Sequence, residues 1–123
     1  MSRGLVVAAF AVALAACGGS SPTAPASLCN DFTPTATSVQ SKAAPCSAGT
    51  TPVTLPSTQE CTAALTQCND ADRQLLRNFL DCLNALPTCS LATATTFLDR
   101  INACTTPLGA LTTACANATQ VPR

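Results

Sequence analysis

The sequence has no histidine, tryptophan or tyrosine, and only 3% of its residues are aromatic. Catalytic arrangements of the Ser-His-Asp and Cys-His kinds are therefore excluded, as are zinc sites and haem attachment motifs that use histidine. Six basic residues are balanced by six acidic ones. This balance lacks the basic excess that nucleic acids attract. We expect a protein that is not an enzyme and binds no cofactor, metal or nucleic acid.

The amino end has the order of an export signal. Arg3 precedes a continuous apolar run over residues 5–13, far shorter than the roughly 20 residues that span a bilayer. The small residues that follow end in Leu14-Ala15-Ala16-Cys17, which resembles the lipobox of bacterial lipoproteins. The competing interpretation is an ordinary secretory signal cleaved near Ala15.

The lipobox resemblance implies a signal peptide over residues 1–16 and lipidation of Cys17. In lipoproteins of this kind the thiol receives a diacylglycerol, and the new terminal amine receives a further acyl chain such as palmitate. Two or three acyl chains anchor a protein stably, whereas one is marginal. A glycine after the cysteine, here Gly18, resembles the outer-membrane pattern. We therefore expect a lipid-anchored protein of the bacterial cell envelope, at the outer membrane.

The next two segments have little helical pattern. Residues 17–28 are rich in Gly, Ser, Pro and Ala, which predicts a lipidated flexible tether. Residues 29–56 contain four prolines and only scattered apolar residues. We expect an irregular segment here, pinned by Cys29 and Cys46, with no more than a weak helix over residues 35–44.

From Ser57 the sequence becomes helical. Ser57 and Glu60 have the spacing of a capping box, which predicts the start of a first helix. Asn69 or Asp70 is predicted to cap a second helix, which has a wide apolar arc and ends before Pro87.

Two further helices are predicted towards the carboxyl end. Ser90 is expected to cap a third helix, and Thr106 a fourth that begins at Pro107. The predicted inward face of the third helix comprises Leu91, Ala94, Phe97, Leu98, Ile101 and Cys104. We therefore predict an all-α fold, a disulfide-stapled bundle of four short antiparallel helices over residues 57–118, followed by a frayed tail over residues 119–123.

Eight of the nine cysteines lie beyond Cys17, an even number that favours four disulfides in an exported domain. An up-down bundle favours the pairs Cys29–Cys46, Cys61–Cys82, Cys68–Cys104 and Cys89–Cys115. A nested alternative, which resembles the twin-cysteine helical hairpin, pairs Cys61 with Cys89 and Cys68 with Cys82. No Cys-x-x-Cys pair is present to indicate a metal or redox site.

The second helix carries the candidate contact residues for a protein partner. Arg73, Arg77 and Asp81 recur every four residues on its polar face, and Leu80 lies at the rim of its apolar arc. One interpretation is an ordinary solvated face with a weak Arg77–Asp81 ion pair. The other is a contact patch for a protein of the envelope.

The sequence from Cys29 onwards resembles small cysteine-rich lipoproteins of unassigned activity. The first functional hypothesis is a membrane-tethered, non-enzymatic module with a structural or protein-binding role. The alternative is a carrier or sensor of a small apolar ligand held inside the helical bundle. We expect a close-packed core, because few large side chains are present to build walls around a cavity. A solvent-excluded cavity of about 300 Å³ or more would favour the carrier, and an exposed contiguous apolar patch would favour a protein partner.

The lipid anchor and the disulfides can be tested together by the intact mass of protein extracted gently from its own membranes. We expect residues 17–123 plus two or three acyl chains, with eight hydrogens missing because four disulfides have formed. The variant protein that carries Cys17→Ser is expected to lack the mass of the acyl chains. Its mass should still be eight hydrogens short, because the four disulfides form as before. A wild-type mass without acyl chains would contradict the lipobox interpretation, and reactive thiols would contradict complete pairing.

Overall fold

In the computed structural model, the described residues are 21–46 and 55–121. These residues form five α-helices and no strand: α1 (Pro25–Ala43), α2 (Thr58–Leu65), α3 (Asp70–Asn84), α4 (Ala94–Thr105) and α5 (Thr113–Thr119). Short 3-10 turns cover Ala44–Cys46, Leu91–Thr93 and Thr106–Ala110. The predicted all-α, disulfide-linked bundle is confirmed, with one helix more than expected. The signal peptide, Cys17 and the first part of the tether lie outside the described residues, as do residues 47–54, 122 and 123.

Helix α1 is much longer than the weak helix that was allowed over residues 35–44. The expected irregular segment is helical from Cys29 to Ala43, and the expected tether is already helical from Pro25. Pro25 at the start of α1 is favourable, but Pro34 inside it cannot donate the usual backbone hydrogen bond to Asn30. The helix forms because its contacts with α3 outweigh this weak local preference.

Helices α1 and α3 run in the same direction. Arg77 Nη2, at the middle of α3, lies 2.8 Å from Asp31 Oδ2 in the first half of α1. At the end of α3, Asn84 Nδ2 donates to Thr35 Oγ1 (3.1 Å), and Lys42 Nζ donates to the Asn84 carbonyl (2.7 Å). Lys42 thereby satisfies a free carbonyl at the end of α3 and places a cation at its negative end. The four helices predicted to be antiparallel lie within residues 57–118, and α1 adds to them a helix that runs parallel to α3.

The predicted starts of α2 and α3 are confirmed. Ser57 and Glu60 form the capping box of α2, and Asn69 and Asp72 form that of α3. The later boundaries differ from the prediction, because Ser90 precedes a 3-10 turn and α4 begins only at Ala94.

The predicted fourth helix is also shifted along the chain. Thr106 and Pro107 begin a 3-10 turn, whereas α5 begins after its N-cap residue, Thr112. The predicted inward face of α4 was partly wrong as well. Phe97 and Cys104 are buried, but Leu91 is 83% exposed and Leu98 is 60% exposed.

All eight cysteines downstream of Cys17 form disulfides. The pairs are Cys29–Cys61, Cys46–Cys89, Cys68–Cys115 and Cys82–Cys104, with Cα atoms 4.5–5.8 Å apart. None of the predicted pairs forms in either the preferred or the nested set.

The position of α1 explains the wrong pairing. Cys29 lies in α1 and Cys46 in the turn that follows it. Seventeen residues of mostly helical chain separate them by about 25 Å at 1.5 Å per residue, whereas a disulfide needs Cα atoms within about 7 Å. Cys29 and Cys46 must therefore each pair with another cysteine. Because their partners are Cys61 and Cys89, the pairs that were expected for Cys61 and Cys89 cannot form.

A buried carboxylate joins the beginnings of α3 and α5. Asp72 is only 2% exposed. Its Oδ1 accepts from the Thr112 amide (2.9 Å), and its Oδ2 accepts from Thr112 Oγ1 (2.6 Å) and the Asn69 amide (3.1 Å). Both helices direct the positive end of their dipoles towards this carboxylate. Desolvation raises the pKa of Asp72, but the hydrogen bonds from Thr112 and Asn69 outweigh it and hold the pKa below its ordinary value.

Thr112→Val is expected to reduce the free energy of unfolding by about 1.5–3 kcal/mol at pH 7, because a buried carboxylate loses a charge-assisted hydrogen bond. The lowered pKa means that Asp72 stabilises the fold above its unfolded-state pKa of about 4, and that this stabilisation disappears as the pH falls through the folded-state pKa. The difference between wild type and variant should therefore shrink in strong acid. Denaturant titration with the disulfides intact measures both effects.

Thr113→Val is the matched control, because Thr113 is exposed and forms no hydrogen bond with Asp72. We expect its effect to stay within about 0.5 kcal/mol. Equal losses in the two variants at pH 7 would show that the Asp72 carboxylate does not stabilise this junction.

Candidate functional site

The four predicted contact residues do not form an exposed patch. Leu80 is 3% exposed and lies in the core. The Arg77 side chain is 14% exposed and binds Asp31, the Pro22 carbonyl and, at 3.7 Å, Asp81. Asp81 itself is exposed. Leu80 therefore does not lie at an exposed rim of α3, because residues of α1 pack into the same core cluster.

Arg73 is likewise engaged within the domain. It forms an ion pair with Asp70, and its Nη1 donates to the Cys68 carbonyl at 3.0 Å. Its side chain, which is 22% exposed, thus closes the turn before α3 rather than extending into solvent.

The described residues form an apolar cleft of about 1100 Å³ that is open to solvent. All five helices or the segments next to them contribute to its wall. The lining residues are Leu28, Phe32, Leu55, Pro56, Glu60, Cys61, Ala64, Leu65, Leu76, Phe79, Leu80, Thr105, Thr106, Leu108, Gly109, Ala118, Thr119, Gln120 and Val121.

Large apolar side chains form most of the cleft surface. Its leucines at positions 28, 65, 80 and 108 are at most 5% exposed and form the base. Phe32, Leu76 and Phe79 are only partly buried and continue the apolar surface outwards. The cleft therefore leaves apolar area in contact with water, and an apolar molecule that covered this area would be stabilised by its removal from water.

The polar side chains of the cleft leave mainly acceptor atoms available to a ligand. Glu60 Oε2 accepts from the amide and hydroxyl of Ser57. The hydroxyls of Thr105 and Thr106 both donate to the Asn102 carbonyl, and that of Thr119 donates to the Cys115 carbonyl. These hydroxyls can still accept, but their hydrogens are already used.

Glu60 is the one charged residue that lines the cleft within the described part of the chain. Hydrogen bonds from the Ser57 backbone amide and then from its hydroxyl lower the pKa of Glu60. The carboxylate is therefore ionised at neutral pH. Its other oxygen, Oε1, has no hydrogen-bond partner among residues 21–46 and 55–121.

The end of α5 closes one side of the cleft. Gln120 adopts a left-handed conformation (φ 55°, ψ 31°), and the Val121 amide donates to the Ala116 carbonyl at 3.1 Å. This is the hydrogen bond of a Schellman motif, which turns the chain back on the helix. Val121 consequently packs against the core. The structure thus places Thr119–Val121, the first part of the predicted frayed tail, at the end of α5 and against the core.

Cys68, Asp72 and Cys115 form a compact buried cluster, in which one potential metal-binding atom of each lies within 4.8 Å of the others. The two sulfurs are joined to each other, and the Asp72 oxygens accept hydrogen bonds from Thr112 and Asn69. Metal binding needs thiolates, so the oxidised cluster serves as a structural junction.

Sequence reasoning did not identify the cleft. Its residues come from separate elements between Leu28 and Val121, and no short motif connects them. Glu60 was recognised only as a capping residue. Leu80 was noticed on the rim of an apolar arc, but α1, which buries it, was not expected.

No protein-family model, curated protein or solved structure matches this chain. None of the helices within residues 21–46 and 55–121 combines the length and the apolar character required to cross a membrane.

Gln120→Gly is expected to stabilise the protein by about 0.5–1 kcal/mol, because glycine adopts the left-handed conformation without a steric penalty. Asn117→Gly provides the opposite control, since Asn117 is an exposed residue inside α5, where glycine should destabilise the helix. Denaturation midpoints distinguish the two. Destabilisation by both substitutions would contradict the left-handed helix end.

Proposed function

We propose that this protein is a membrane-tethered carrier or sensor that binds a small apolar molecule in the cleft. The cleft volume of about 1100 Å³ is the single observation that supports this function best. Small-molecule sites commonly have volumes of about 300–1,000 Å³ and predominantly apolar walls. A closed core was expected from the sequence. A cleft of this size can hold a ligand, which a closed core cannot.

The distribution of apolar residues supports ligand binding further. Phe32, Leu76 and Phe79 lie beside fully buried leucines, yet no described side chain covers them completely. A bound apolar molecule would complete the packing of this core. Disulfides between distant segments hold the walls together, so that binding requires little ordering of the protein.

The proposed cellular setting is the bacterial envelope. The lipobox resemblance at Cys17 and the pairing of the remaining cysteines both suit an exported, lipid-anchored protein. A lipid anchor would keep the cleft close to a bilayer, where apolar molecules concentrate. We assign no chemical step to the cleft, because its one carboxylate is held ionised and its threonine hydroxyls are bonded to their own helices.

A structural or protein-binding role remains the second candidate. Leu91 and Leu98 support it, because they are the large apolar side chains that the described surface exposes most. Both lie on or next to α4, away from the cleft lining. Such a surface would recognise another envelope protein independently of any ligand.

Ligand binding can be tested with N-phenyl-1-naphthylamine, an uncharged apolar dye. Chain carrying Cys17→Ser would be purified in its disulfide-bonded form without detergent, so that neither acyl chains nor micelles take up the dye. We expect saturable binding of one dye molecule. Ala64→Phe should weaken binding at least about tenfold, because the larger side chain occupies space inside the cleft.

Ala103→Phe is the matched control, because Ala103 is an exposed alanine of α4 that does not line the cleft. This variant should bind the dye like the parent protein, and thermal unfolding should show both variants folded. Unsaturable or absent dye binding by the parent would refute the carrier hypothesis. If Ala64→Phe bound the dye as tightly as the parent protein, the dye would bind outside the cleft.

A further inference from the structure

The cleft has a marked imbalance of charge. No lysine or arginine lines it within the described residues, whereas Glu60 does. The nearby cations of α3 are already engaged, since Arg73 binds Asp70 and Arg77 binds Asp31. Among residues 21–46 and 55–121, a carboxylate or phosphate group brought to this cleft would therefore meet no compensating charge.

The cleft also has an imbalance of hydrogen-bonding groups. Glu60 Oε1 has no hydrogen-bond partner among the described residues, and the threonine hydroxyls already donate to carbonyls of their own helices. The Gln120 amide is the one side chain of the lining that retains donors without a described partner. A ligand that donates hydrogen bonds would thus find several acceptors, whereas one that only accepts would find few donors.

Glu60 is fixed in place by the beginning of α2. The Ser57 amide donates to Glu60 Oε2 at 2.9 Å, and the Glu60 amide donates back to Ser57 Oγ at 3.2 Å. This capping box holds the carboxylate at the cleft while occupying only one of its oxygens. Little side-chain freedom would be lost when Oε1 accepts a hydrogen bond from a ligand.

We infer that the cleft selects apolar molecules with an ammonium or hydroxyl end over those with a carboxylate or phosphate end, and that Glu60 Oε1 accepts the hydrogen bond of that end. This inference rests on the proposed function, because it names the class of ligand that the same cleft would bind. The apolar part lies against the buried leucines and Phe79, and the polar end lies at the start of α2.

The test compares dodecylammonium, 1-dodecanol and dodecanoate, which share one chain length and differ in their end group. Each competes with the apolar dye for the Cys17→Ser chain, below its aggregation concentration and at an ionic strength of about 10 mM, where charges are weakly screened. We expect dodecylammonium to bind about five- to tenfold more tightly than dodecanoate, because the ammonium is attracted by the charge that repels the carboxylate.

Glu60→Gln isolates the role of the carboxylate. Glutamine still fits a capping box, so α2 should keep its start. In this variant the ratio of the two affinities should fall to within about twofold, because the like-charge repulsion is gone. Asp99→Asn is the matched control, since it removes one negative charge from an exposed position of α4 outside the cleft and should leave the ratio unchanged.

The outcomes separate the two proposals. If none of the three amphiphiles displaces the dye, the ligand-binding function itself is refuted. If dodecanoate binds as tightly as dodecylammonium, or if the preference survives in Glu60→Gln, the cleft binds apolar molecules but the proposed selection is wrong. If Asp99→Asn lost the preference for dodecylammonium over dodecanoate, the preference would depend on the net charge of the protein. That result would overturn its assignment to Glu60.

Discussion

The four covalent connections between distant segments are the constraint on which the rest of this structure depends. Each of the five helices carries one disulfide cysteine, and the bridges join residues 22–47 positions apart. At about 2–4 kcal/mol per bridge, they contribute as much as the net stability of many domains. A domain so poor in aromatic residues can therefore tolerate an incompletely filled core. The cleft persists because disulfides stabilise its walls, where other domains rely on close packing.

The local starts of helices could be predicted from the sequence, because they depend on a few adjacent residues. Ser57 and Glu60 cap α2 as expected, and Asn69 caps α3. Helix α1 could not be predicted in this way, since Pro34 and its many Ser and Thr residues weaken its local preference. Its stability comes from contacts such as Asp31 with Arg77 and Thr35 with Asn84, which join residues nearly fifty positions apart.

This one omission accounts for most of the remaining differences. Without α1, the cysteines at positions 29 and 46 were assigned to each other, and Leu80 was left at an apparent rim. The cleft also escaped prediction, because an unfilled space is a property of several elements together. Glu60 was identified correctly as a cap, yet its position in the lining of the cleft depends on where α1 and α5 lie. Local features such as helix caps could be predicted from the sequence, whereas the cleft that several elements enclose together could not.

The order of the cysteines has a consequence for how this protein is made. No cysteine is bonded to its immediate neighbour in the series from Cys29 to Cys115. A chain that enters an oxidising compartment amino end first presents Cys29 and Cys46 together before Cys61 arrives, so the earliest available bridge is a wrong one. Correct pairing then requires a thiolate to attack that bridge and release it. Biogenesis of this small domain would depend on disulfide exchange, and a host that only oxidises thiols would accumulate trapped isomers.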